Sequence, residues 1–287
     1  MAAEVPPGID PAATSPLRPG RVLTIGDGAL QVDIAPEAGG RIAQVRFEGV
    51  EQLVGYGEHG AESALAWGSY PMVPWCGRIR EGRFGVGARS FQLPVNLGEH
   101  AIHGVGFVLP WEVVAHDPRG VELELALPAD HRWPFGGTAR QRIEVSGQRL
   151  LLELAVTAGD QAMPASLGWH PWFRKPEQVE FAPEAMYPRD AQGITVLPPG
   201  PVPAGPWDDC FVNRKPVVLY RAGQRIRLES ECTDWVVYDE PGHATCVEPQ
   251  TAPPDAFNLD AARVLQPGGT LSAQFSLQWD RDGAALR

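Results

Sequence analysis

VELELALP, residues 121–128, sets Val121, Leu123, Leu125 and Leu127 against Glu122, Glu124 and Ala126. Side chains along a strand alternate between its two faces, so this run presents one apolar face to a core and one face to solvent, as an antiparallel strand does. The same period recurs in ALQVDIA (29–35), RQRIEVS (140–146), LLLELAVTA (150–158) and QRIRLES (224–230). WEVVAHD (111–117), PVVLYR (216–221), DWVVYDE (234–240) and TLSAQFSLQW (270–279) carry the pattern to the C-terminus. Glycine and proline, at 32 and 29 residues, fall between these runs and mark tight turns. ESALAW (62–67) is the one short helical candidate, and no segment offers three turns of apolar spacing with caps. These features predict an all-β, single-domain sandwich of mostly antiparallel strands.

The remaining stretches set the limits of that domain. Residues 1–20, MAAEVPPGIDPAATSPLRPG, have neither the basic start nor the apolar core of a secretory signal and read as a flexible tail before a domain spanning 21–287. The proline-rich segment 183–207 resembles a linker, yet Met186, Tyr187, Ile194 and Val196 could anchor it to the body. Cys76, Cys210, Cys232 and Cys246 form no CxxC pair, which argues against a zinc knuckle or redox dithiol. With no signal segment, reduced thiols and a cytoplasmic location are expected. The 24 basic and 35 acidic residues give a formal charge of -11 and no basic stripe, which disfavours nucleic acid and anionic membrane as partners.

Five stretches carry residues suited to chemistry: PMVPWCGRI (71–79), AIHGVGF (101–107), GWHPWF (168–173), WDDCF (207–211) and CVEPQTAPPDAF (246–257). They supply Arg78, His103, His170, Asp208 or Asp209, and Glu248, all expected at strand ends or in turns. Each has a structural alternative. Arg78 could pair with a carboxylate, His103 could bond to nearby backbone, and the aspartates could be turn residues. His170 could be a packed side chain among aromatics. Glu248 follows an apolar run, where a carboxylate without a partner would be expensive.

Taken together and in this order, PWCGRI, the His-Gly pair at 103 and 104, GWHPWF, the Asp-x-x-Phe of 208–211 and VEPQTAPPDAF resemble the aldose 1-epimerases, or mutarotases, of the galactose mutarotase-like superfamily. The likeness runs from about residue 25 to about residue 280. It implies a β-supersandwich with a sugar lying across a concave sheet, and no metal or organic cofactor. It also implies Glu248 as general base and His170 as general acid, with Arg78, His103 and Asp208 holding sugar oxygens. Asp209 is the alternative to Asp208, and Trp75 or Trp172 could stack on a pyranose.

The chain departs from the family where Gly77 stands in place of the usual asparagine before the arginine. The reaction so implied is α/β interconversion of a free hexose such as glucose or galactose. Its small-molecule partner is the sugar, and the chain is expected to be a monomer or homodimer. Two rivals are a hexose-6-phosphate epimerase, for which Arg174 and Lys175 would supply cations, and a non-catalytic carbohydrate-binding protein.

Overall fold

Residues 8–283 are described by the structure, a computed structural model. Two antiparallel sheets hold most of the strand residues. In the larger, the strands run in the order Leu23–Asp27, Leu30–Ala35, Arg41–Phe47, Ser69–Met72, Gly168–Arg174, Ala244–Gln250, Asp234–Tyr238, Asp208–Val212 and Ala185–Tyr187, with Val50–Glu51 paired beside the third. The smaller sheet has the order Glu112–Asp117, Gly120–Ala126, Thr138–Ser146, Arg149–Thr157, Thr270–Arg281, Gln224–Ser230, Val217–Arg221 and Gln178–Glu180. This is the β-supersandwich architecture.

The alternation that suggested strands is what closes the core. Along Gly120–Ala126, Thr138–Ser146 and Arg149–Thr157 every second residue is buried. The buried side chains, Leu123, Ile143 and Leu152 among them, join one apolar cluster with Ile25, Val32, Trp169 and Trp235 of the facing sheet. Direct contacts cross the interface, with Phe275 meeting Trp169 at 5.8 Å and Trp235 at 6.1 Å between ring centroids. Burying each such aliphatic or aromatic side chain contributes about 1.5–3 kcal/mol before chain entropy is counted.

Three expectations are corrected. The strand Glu112–Asp117 has no buried face: it is the edge of the smaller sheet and every residue is exposed, Val113 and Val114 included. ESALAW forms turns, and its carbonyls are taken by other groups. Arg41 is fully buried and donates to the carbonyls of Ala38, Ala64, Trp67 and Phe107, while Trp172 Nε1 donates to that of Leu65. Much of the expected tail is packed as well. Asp10 caps a short turn over Pro11–Ala13, Ala13 is buried against Tyr70 and Met72, and Leu17 N–H donates to the Glu62 carbonyl. Residues 1–7 lie outside the described part.

The proline-rich segment is anchored, since Ala185–Tyr187 joins the larger sheet and Ile194 is buried. The four cysteines are free and buried. Among the described residues, no helix is long and apolar enough to cross a membrane.

Candidate active site

GWHPWF lies entirely within the strand Gly168–Arg174, so its neighbours alternate in direction. Trp169 and Phe173 enter the sandwich core, while His170 and Trp172 face the opposite, concave side. The same rule applies to Ala244–Gln250, where Val247 joins the core and Glu248 and Gln250 face the concavity. These two strands pair with Gly168 opposite Gln250 and Trp172 opposite Cys246, a register that carries His170 opposite Glu248. Side chains directly opposite in an antiparallel pair lie close enough to touch.

Two rows of side chains therefore cross the concave sheet. One contains Tyr70, His170, Glu248 and Val236; the other contains Trp172, Cys246, Tyr238 and Asp208. Both His170 and Glu248 sit well inside their strands, not at the strand ends or turns expected for them.

His170 Nε2 lies 3.1 Å from a carboxylate oxygen of Glu248, and both residues are almost wholly buried. The other Glu248 oxygen accepts from Gln250 Nε2 at 3.3 Å. The imidazole is stacked against Tyr70 at 4.7 Å and Trp172 at 5.4 Å. Burial drives its pKa down to about 3, helped by the nearby Arg41 charge and opposed by a backbone hydrogen bond. Burial pushes Glu248 well above the usual carboxylate range; Asp208 adds to this, while the Gln250 hydrogen bond and Arg78 oppose it. Both shifts have one cause, the loss of water around a charge, and both favour the uncharged form.

A cavity of about 250 Å³ opens above the pair. Arg78, His103, His170, Trp172, Asp208 and Glu248 all line it. Among the described residues Arg78 is its one cationic side chain other than histidine, and its guanidinium has no ion-pair partner. His103 joins both of its readings. Its Nδ1 accepts from the Gly77 N–H at 3.2 Å, which fixes the ring and leaves Nε2 to carry the proton of the neutral form. Its pKa is well below the ordinary value, through burial first and then the charges of His170 and Arg78, which favours the neutral ring. His103 also holds a left-handed φ of 61°, uncommon outside glycine.

Asp208 lines the cavity and Asp209, one residue on along the strand, does not. Arg189 pairs with both, at 2.8 and 2.9 Å. Trp75 is a core residue, buried and packed on Trp133 at 5.7 Å. Arg174 and Lys175 are likewise outside the cavity, with Arg174 held by Glu51 and Glu58 and Lys175 by Asp239.

The departure at Gly77 has a steric counterpart. A Cβ there would lie 2.6 Å from that of Pro254, at a φ of 63°. The proline ring fills the space a side chain would need.

Sequence reading missed Tyr70, Tyr238, Glu240 and Gln250, which also line the cavity. Gln250 was within reach, because it stands two residues after Glu248 on the same strand face. The others depend on which strands are neighbours. A donor set for a soft divalent cation is also present: His170, Cys246 and Glu248 each offer a ligand atom within 4.8 Å of the others. Filling it would occupy the imidazole and carboxylate that face the cavity.

A two-sheet antiparallel sandwich with a histidine–carboxylate pair on its concave face defines a carbohydrate-epimerase-like class of protein. The family model for aldose 1-epimerase matches residues 21–278, and the chain belongs to that family. It is similar to the uncharacterized Escherichia coli K12 proteins YphB and YihR. The YphB match is 26% identical and spans 57% of this chain and little more than half, 56%, of that protein. The YihR match is 24% identical over 87% of this chain and 90% of that protein. The fold is shared with the galactose 1-epimerase of Lactobacillus acidophilus NCFM at a TM-score of 0.76 and 17% identity, covering 91% and 94% of the two chains.

Proposed function

We propose that the protein interconverts the α and β anomers of a free, unphosphorylated aldose, with Glu248 as general base and His170 as general acid. The observation that carries this reading is the buried 3.1 Å His170–Glu248 contact on the floor of a cavity lined by hydrogen-bonding groups. Ring opening moves one proton at each end. Glu248 takes the proton of the C1 hydroxyl, the O1 electron pair becomes the carbonyl, the C1–O5 bond breaks, and O5 takes a proton from His170. Rotation about C1–C2 followed by the reverse transfers yields the other anomer.

The pair reacts as carboxylate and imidazolium, the tautomer that burial disfavours, and opening leaves carboxylic acid and imidazole. Burial opposes charge on both groups, so it makes Glu248 a stronger base and His170 a stronger acid, and one step discharges both. Arg78 and the neutral His103 orient hydroxyls, and Asp208 accepts from them.

The phosphorylated-sugar alternative loses its supporting residues, because Arg174 and Lys175 are paired elsewhere. The remaining lining offers Arg78 against Asp208, Glu240 and Glu248, a poor setting for a phosphate dianion. Two-dimensional exchange NMR on glucose, galactose and glucose 6-phosphate tests the proposal. Acceleration over the spontaneous rate is expected for a free hexose, with glucose 6-phosphate the poorer substrate. No acceleration of either hexose, or a preference for the phosphate ester, would overturn it.

A further inference from the structure

Arg78 and Asp208 reach the cavity from separate elements, the short strand Arg78–Ile79 and the start of Asp208–Val212. One small loop, residues 189–195, is tied to both. An antiparallel bridge between Arg189 and Thr195 closes the loop, the Asp190 N–H donates to the Ile194 carbonyl at 2.9 Å, and Ile194 is buried. Asp190 Oδ1 accepts from the N–H groups of Gln192 and Ile194 at 2.9 and 3.1 Å. Arg80, in the turn that follows Arg78, donates to Asp190 and to Gln192, and His100 Nε2 lies 3.3 Å from the Gln192 carbonyl.

At the other end of the loop the Arg189 guanidinium stands between two carboxylates on consecutive residues. Its Nη1 donates to Asp208 Oδ2 at 2.8 Å, and its Nε lies 2.9 Å from Asp209 Oδ1. Carboxylates this near repel each other, and a planar cation between them fixes the direction of both. Among the described residues Asp208 Oδ1 accepts no hydrogen bond, so Arg189 takes one oxygen of the cavity-lining carboxylate and leaves the other for a ligand. Arg189 itself does not line the cavity. A partly exposed ion pair between freely moving side chains contributes little, but here the backbone that carries the arginine is held by the ties at Asp190 and Gln192.

We propose that Arg189 is a positioning residue for sugar binding: it holds Asp208 so that the free oxygen accepts a sugar hydroxyl, and it acts without touching the sugar. The inference rests on the epimerase reading for the presence of a sugar hydroxyl at Asp208. An arginine that merely tied down the loop would affect stability and leave sugar affinity alone.

The test measures anomer exchange and calorimetric binding of glucose and galactose in the parent, Arg189→Ala, Arg189→Lys, Asp208→Asn and the Arg189→Ala/Asp208→Asn double variant, with circular dichroism checking each fold. Arg189→Ala is expected to raise KM and Kd roughly 5- to 20-fold with kcat changed by less than about 3-fold, and Arg189→Lys, which keeps the charge but not the fork, to recover part of the loss. With Asp208→Asn already present, Arg189→Ala is expected to add less than about 2-fold, because its effect runs through that carboxylate. Arg189→Gln carries the same comparison should Arg189→Ala not fold. Unchanged KM and Kd in the single variant would overturn the proposal, as would a loss of the same size in the Asp208→Asn background. Affinities that follow the expected pattern in a protein that exchanges no anomers support the role of Arg189 and strike only the epimerase reading; a parent that binds neither sugar overturns both.

Discussion

At the scale of the residue, Glu248 and His170 meet at 3.1 Å with both side chains almost wholly buried, and the proposed mechanism has them share one proton. Adding a second proton means charging an imidazole whose pKa lies at about 3, and removing the one proton means leaving a charge on a carboxyl pushed above its ordinary 4.5. The apparent values belong to the pair. The saturated exchange rate is therefore expected to show no acid limb in the usual imidazole range, its acid limb lying near 3 and its alkaline limb displaced upward from the ordinary carboxylate value of 4.5. An acid limb at 6.5, the ordinary histidine value, would contradict this picture.

The same burial has a consequence for stability. A carboxyl with a raised folded-state pKa contributes stability that is complete below its unfolded value, 4.5, and is lost as pH rises through the folded-state value. Glu248→Gln removes that loss. Chemical denaturation should find the variant more stable than the parent at pH 8 by about 1–3 kcal/mol, the gain shrinking toward pH 4.5. A gain that persists undiminished at low pH would assign it to something other than ionisation.

Single elements show how much of the site was legible. Period two within GWHPWF and VEPQ tells which residues share a face, so His170 with Trp172, and Glu248 with Gln250, follow from spacing alone. It does not tell which strands are neighbours. The pairing of residues 168–174 with both 69–72 and 244–250 joins segments far apart in sequence, and that pairing brings Tyr70, His170 and Glu248 into one row. A one-residue slip of any one of these strands would turn its own site residue to the core.

ESALAW misled because six residues are too few to stabilise a helix, while Arg41 and Trp172 take carbonyls a helix would use. WEVVAHD misled because alternation cannot say whether a strand lies at an edge. The Gly77–Pro254 contact belongs to this scale too. Gly77→Asn, the residue more usual in the family, keeps a left-handed backbone tolerable but forces a Cβ against the proline. It should destabilise the protein by about 1–3 kcal/mol in thermal or urea unfolding, with Pro254→Gly in the same chain, which removes the Cβ at 2.6 Å, recovering part of the loss. An unaltered midpoint for Gly77→Asn would mean the turn carrying Arg78 gives way freely.

For the whole molecule, the apolar alternation of both sheets made the sandwich legible, because one buried face per strand leaves few other ways to close a core. The division of labour between the faces of the larger sheet was not legible in the same way. Its inner face is apolar and packs on the smaller sheet, while its outer face buries charged and polar groups such as Arg41, His170 and Glu248 under loops drawn from distant parts of the chain. Such groups are costly to bury, and the arrangement is understandable if the cost maintains a reactive pair. The most direct test is the anomer-exchange rate at sugar saturation in Glu248→Gln, His170→Asn and the double variant, with circular dichroism confirming each fold. Each single variant is expected to lose roughly 100- to 10,000-fold in kcat while still binding sugar, and the double variant to lose less than the product of the two. A folded single variant exchanging anomers at the parent rate would contradict the account.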